Sequence, residues 1–263
     1  RQVRTGATWL ERWPARCPGG LVDRDVAITG LEATRTDVLV RFVRSDGSVQ
    51  VARLTPDQPV FRPAGVPPPW AVAGTYLALG VEHILLGADH LLFVLGLLLL
   101  VAGWRPLVAT ITAFTVAHSV TLAAVSLGFV RVPAAPVEAG IALSVMFVAA
   151  EALRARSGRA GLAARAPWVV ALAFGLLHGF GFAGALAEIG LPAGDVPLAL
   201  FCFNVGVEAG QLLFVALVMG LARGGRRWLP RAAATGPARG VVAYGIGALA
   251  AFWFIDRVAG FWA

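Results

Sequence analysis

From Pro69 to its end the chain is a series of apolar runs, several of which reach the ~20 residues that cross a bilayer as a helix. Val94–Ala102 carries no polar side chain at all. Such runs leave few folds open. A backbone in hydrocarbon must satisfy its own hydrogen bonds, and a helix does so where a lone strand or loop does not. Six helical spans are predicted, at about 72–102, 106–128, 135–155, 167–189, 196–222 and 238–259. Composition agrees: 58% of the residues are hydrophobic and 14% charged, where a soluble domain would carry about a quarter charged residues. The fold expected is an all-α polytopic membrane protein of six transmembrane helices, preceded by a small β-rich extracytoplasmic domain.

Residues 1–68 differ in kind from residues 69–263. Here arginines and acids surround short β-type runs, Val26–Thr29, Asp37–Arg44 and Ser48–Leu54. The second alternates with period two, and Ser45-Asp-Gly-Ser48 after it is a hairpin turn signal. Pro67-Pro-Pro-Trp70 reads as a stiff linker with an aromatic at the membrane interface. All 22 basic residues are arginine. Arg105, then Arg154, Arg156, Arg159 and Arg165, then Arg223, Arg226, Arg227, Arg231 and Arg239 fall near the first, third and fifth loops. The positive-inside rule places those loops in the cytoplasm and the β-rich region outside. A start at Arg1 without methionine fits either a removed signal peptide or a trimmed chain, and an outside N-terminal region agrees with the first. The arginines therefore serve orientation, and no nucleic-acid partner is expected. Cys17 and Cys202 form no framework.

The four histidines, His83, His90, His118 and His178, all lie in predicted spans. An ionisable group in the bilayer is costly and marks a pathway or site. His83 and His90 differ by about 20° in direction on a straight helix, but stand ~10.5 Å apart along it. Glu82 and Asp89 repeat the same interval on a neighbouring stripe. Two stations along a path, or one site on a helix bent at Gly87, would each explain the pattern.

In the second span Thr115 and Thr121 flank His118, where hydroxyls orient a ring or glue helices together. His178 sits among Gly175, Gly179, Gly181 and Gly184, which let another backbone come close. Asn204, Glu208 and Gln211 make one polar stripe on the fifth span. Glu208, near mid-span, should be protonated or paired with a cation. Glu138 follows Pro136 in the first turn of the third span. Glu151 reads as a surface pair with Arg154; Glu188 and Asp256 read as facing headgroups.

These stretches resemble a known family. His83-Ile-Leu-Leu-Gly-Ala-Asp-His90 is similar to the first-helix motif of the HupE/UreJ hydrogenase and urease accessory membrane proteins, in the larger branch with an N-terminal extracytoplasmic region. Gly80-Val-Glu-His, Ala113-Phe-Thr-Val-Ala-His-Ser, Pro136-Val-Glu, Gly175-Leu-Leu-His-Gly and Phe203-Asn-Val-Gly-Val-Glu-Ala-Gly-Gln211 carry the resemblance onward. It implies the cytoplasmic (inner) membrane of a bacterium and permeation of nickel or a related divalent metal. His83, Asp89 and His90 would then be selectivity ligands, and metalloenzyme maturation proteins would be partners. Transporting members carry a second motif, Phe-His-Gly-x-Ala-His-Gly-x-Glu. Here Leu177-His178-Gly179 corresponds, with Phe182 at the second histidine and Ala185 at the glutamate.

Three readings follow. The first is a divalent-metal permease or accessory protein for nickel, cobalt or zinc, with His83, Asp89, His90, His118, His178 and Glu208 as ligands. Glu82, Glu138, Asn204 and Gln211 support them. The second is an intramembrane zinc hydrolase with Asp89 or Glu208 as base and Ser119 as a further candidate. The third is a metal sensor. An enzyme needs histidines converging on one point beside a cleft, whereas stations spread along a path suit a permease.

Overall fold

The computed structural model describes residues 2–5, 8–11, 17–34, 37–44, 49–65, 67–159, 161–189, 195–225 and 236–262. The chain forms two compact units, Arg1–Pro67 and Pro68–Ala263.

The first unit holds three two-stranded antiparallel sheets. β1 (Gln2–Thr5) pairs with β2 (Thr8–Glu11), and β3 (Val26–Ala27) with β6 (Val60–Phe61). β4 (Val38–Val43) pairs with β5 (Val49–Leu54) in the register Val38↔Leu54 to Val43↔Val49. Alternation turns Val38, Val40 and Phe42 toward Leu31, Leu54 and Phe61, the buried core of this unit. Leu39 and Val43 face out. The sequence signals give the β4–β5 pair; β1, β2 and β6 are additions, and the expected turn at 45–48 lies outside the described residues.

The second unit is helical: α1 (Pro69–Leu86), α2 (Ala88–Leu100), α3 (Trp104–Ser126), α4 (Ala134–Arg156), α5 (Leu162–Arg165), α6 (Pro167–Ile189), α7 (Val196–Gly225) and α8 (Gly236–Ala259). The expected stiff linker ends sooner than read. Pro68 is extended and caps α1, whose first residue is Pro69, where a missing N–H costs nothing. α3, α4, α7 and α8 are long and apolar enough to cross a membrane. α1 and α2 together make a fifth candidate, bent by 72°. α6 contributes an apolar stretch from Pro167 to Phe182 that is shorter than the others. Of the six expected spans, four or five thus qualify among the described residues. Helices of this length and apolarity make the chain a membrane protein.

Glycines decide how the helices pair. Apolar helices in lipid gain little from hydrophobicity between themselves, so close van der Waals packing must hold them. A Cβ on Gly80 of α1 would overlap the Phe203 carbonyl of α7, and one on Gly206 of α7 would overlap the Leu77 carbonyl of α1. The same holds for Gly175 and Gly179 of α6 against the Phe114 and His118 carbonyls of α3. Phe93, Phe114, Val145 and Val148 fill the space between α2, α3 and α4.

Candidate metal centre

The first predicted span is not one helix. Gly87 ends α1 and begins α2, and its N–H still donates to the His83 carbonyl. The 72° bend there removes the two-station geometry of a straight helix. His83 in the last turn of α1 and His90 in the first turn of α2 meet with ring centroids 4.8 Å apart.

The tight α3–α6 packing delivers the other two rings. His118 of α3 lies 6.2 Å from His83 and 6.1 Å from His90; His178 of α6 lies 4.9 Å from His90. His118 and His178 are fully buried and His90 is 7% exposed. Phe93, Phe114, Phe182 and Phe203 wall the group, with Phe182 only 3.9 Å from His83 and stacked on Phe203. Four imidazoles from four helices thus share one apolar pocket.

Hydrogen bonding leaves much of this imidazole surface unused. His83 Nε2, His90 Nε2, both nitrogens of His118 and Nδ1 of His178 have no partner among the described residues. Burying such an atom unpaired costs about 1–3 kcal/mol, so five together are a group built for something else. His178 is anchored, its Nε2 lying 2.8 Å from Ser144 Oγ of α4. The one Ser144 hydroxyl proton is donated to the Ile141 carbonyl at 2.6 Å. The Nε2–H therefore donates to Ser144, and the lone pair stays on Nδ1.

Imidazole lone pairs in this number suit borderline divalent metals such as nickel, cobalt and zinc. Four histidines on a tetrahedral ion, with bonds of about 2.0–2.1 Å, would hold their ring centroids about 5 Å apart. The four pairs in ring contact are spaced at 4.8 to 6.2 Å, and His83–His178 and His118–His178 make no ring contact among the described residues. Among the described residues no three His, Cys, Asp or Glu side chains already stand as a ligand set.

The carboxylates are engaged elsewhere. Asp89 accepts through Oδ2 from Arg257 of α8 at 2.8 Å, while its Oδ1 is buried without a partner among the described residues. Glu208 accepts from Thr112 of α3 at 2.5 Å, so a hydroxyl, not a cation, meets it there. Gln211 accepts from Thr115 at 3.1 Å, and Asn204 donates to its own Leu200 carbonyl at 2.8 Å. Thr115 bonds Gln211 of α7, as helix glue does, whereas Thr121 bonds the His118 carbonyl within α3, and neither reaches the His118 ring. Glu82 and Glu138 are exposed, and Glu138 lies past the first turn of α4.

A family model described as HupE / UreJ protein matches residues 63–257. The chain belongs to the HupE/UreJ family. Neither the curated proteins nor the solved structures that were searched give a match.

Two residues of this HupE/UreJ chain escaped the sequence reading. Ser144 is a lone hydroxyl inside an apolar helix, a weak signal because serine also serves as glue. Arg257 gave a stronger one: a guanidinium inside the last predicted span asks for a partner. Phe182, read as a lost ligand, is a wall of the cluster. One expectation is overturned outright. Glu151 is not a surface pair: its carboxylate is buried, accepting from the Ala163 N–H of α5 at 3.0 Å as well as from Arg154 at 3.4 Å. Glu188 lies where side chains are not described, and Asp256 is exposed.

Proposed function

We propose that the His83–His90–His118–His178 cluster holds a divalent transition metal, nickel or cobalt, as cargo within the apolar layer. The chain would then be a membrane metal permease or a metal-handling accessory protein. The observation that carries this reading is the convergence of four imidazoles, three of them buried and His83 partly so, each with a nitrogen unpartnered among the described residues. Membership of the HupE/UreJ family supports it, since that family implies a nickel- or cobalt-related accessory or transport role. The site is a single station rather than two. The distribution of arginine orients it, with the N-terminal unit outside and the loops after helices 1, 3 and 5 of the predicted six in the cytoplasm of a bacterial inner membrane.

Glu82 and Asp89 each precede a cluster histidine in sequence, but Glu82 is exposed, so Asp89 and then Glu208 are the candidates to offset the ion's charge. No nucleotide-binding loop is read in the sequence, so movement would be passive, ion-coupled or driven through a partner. The test is nickel titration of the purified chain, followed by uptake into vesicles, with His90→Ala alongside. Loss of both binding and uptake is expected. Uptake that persists in the variant sinks the reading.

Convergence also favours the intramembrane zinc hydrolase, which needs its histidines at one point. Its remaining parts fit less well. Ser119 donates to the Thr115 carbonyl at 2.7 Å, Asp89 is held by Arg257, and Glu208 by Thr112. One zinc per chain that resists chelation, lost in both His90→Ala and His178→Ala, would revive it.

A further inference from the structure

Asp89 and Arg257 form an ion pair with little access to water, their side chains 21% and 24% exposed. Charges in such a setting interact strongly and are retained where they do something. The pair is one-sided. Arg257 Nη2 meets one carboxylate oxygen, and the other, Oδ1, is buried without a partner among the described residues. Arg257 also has other holds. Its Nη1 donates to the Glu138 carbonyl at 3.0 Å, and its guanidinium lies 5.9 Å from the centre of the Trp253 ring. Both would remain if Asp89 were withdrawn.

Asp89 immediately precedes His90 in the first turn of α2. A divalent ion on four neutral imidazoles brings two uncompensated charges into an apolar pocket. Its neighbouring carboxylate is already neutralised by a guanidinium, that of Arg257. Resting on the metal-holding reading above, we propose that Arg257 is a resident counter-cation: it occupies the Asp89 carboxylate until a divalent cation binds the histidines, and the two cations compete for Asp89. Arg257 is thus a residue that sets affinity and release, not a ligand.

The test is calorimetric nickel titration of the full chain in nanodiscs, as wild type, Arg257→Gln, Asp89→Asn, the double variant and His90→Ala. Arg257→Gln should bind nickel about tenfold more tightly, because a like charge beside the site is gone. The gain should vanish when Asp89→Asn is added. Hydrogen exchange of the wild type gives a second measurement. Nickel should speed exchange in the last turn of α8, by ending Arg257's hold on Asp89 of α2, and should not do so in His90→Ala. Unchanged or weaker nickel binding in Arg257→Gln, or no exchange response in wild type, overturns the competition while leaving the metal site standing if His90→Ala still abolishes binding. Nickel binding that His90→Ala leaves intact overturns both.

Discussion

His83 and His90 face each other across the Gly87 break, ring centroids 4.8 Å apart, although a straight helix would separate them by ~10.5 Å of rise. The helix break is what turns a sequence repeat into a site. Every expectation about the cluster depends on it.

Gly87→Ala should therefore injure the site first. Its backbone lies at negative φ, so alanine is conformationally allowed. The cost is steric: a Cβ would stand 2.7 Å from the His83 carbonyl oxygen and 3.0 Å from His90 Nδ1. The break must open or His90 must move. Nickel affinity is expected to fall at least tenfold, with a stability loss of about 1–3 kcal/mol. Titration beside a thermal melt in the same detergent separates the two; full affinity in the variant contradicts the role assigned to the break.

Ser144 fixes which nitrogen of His178 is free. Ser144→Ala removes the acceptor for Nε2–H and lets the ring turn. Partners that orient a ligating histidine are worth about 10–100-fold in metal affinity. The variant should lose affinity in that range while melting within about 1.5 kcal/mol of wild type. If affinity is untouched, His178 does not contact the metal through Nδ1.

Phe182, with its ring 3.9 Å from that of His83, stands at the second histidine position of the motif the chain resembles. Phe182→His would add a fifth imidazole beside the cluster at the expense of its stacking on Phe203. Tighter nickel binding by about tenfold, with a loss of about 0.5–1.5 kcal/mol from the broken aromatic pair, is the expected outcome. Weaker binding would mean that the phenyl wall itself is required.

How much of this was legible depends on which physics was local. The helices follow from hydropathy, and the glycines near His178 announced close packing that the Phe114 and His118 carbonyls now fill. The four histidines could be nominated because ionisable groups are rare in spans. Their convergence could not, since it depends on a 72° bend whose direction no periodicity records. Arg257 and Asp89 are 168 positions apart, and only the packing of α8 against α2 joins them. Glu151 misled because Arg154 beside it offered a sufficient local explanation, while its buried partner lies twelve residues on.

The packing glycines can be checked against one that packs on nothing. Gly179→Ala would drive a Cβ into the His118 carbonyl and Thr121 hydroxyl, whereas a Cβ on Gly245 meets nothing within 4 Å. Gly179→Ala should cost about 1–3 kcal/mol by forcing α3 and α6 apart. Gly245→Ala should be neutral or stabilise by up to about 1 kcal/mol through helix propensity. Equal melting temperatures for the two variants would contradict the close α3–α6 approach.

Glu151 tests the distinction between holding the fold and holding metal. Its buried carboxylate caps the N-terminus of α5 and leaves no room for a side chain at Gly161. Glu151→Ala removes that cap and leaves the Ala163 N–H unsatisfied, for an expected loss of about 1–2 kcal/mol. Glu151→Gln keeps an acceptor and should lose less. Nickel affinity should be unchanged in both, because the residue lies at the far end of α4 from the helix turn that Arg257 grips. A fall in affinity without a fall in melting temperature would instead place Glu151 on the path of the ion.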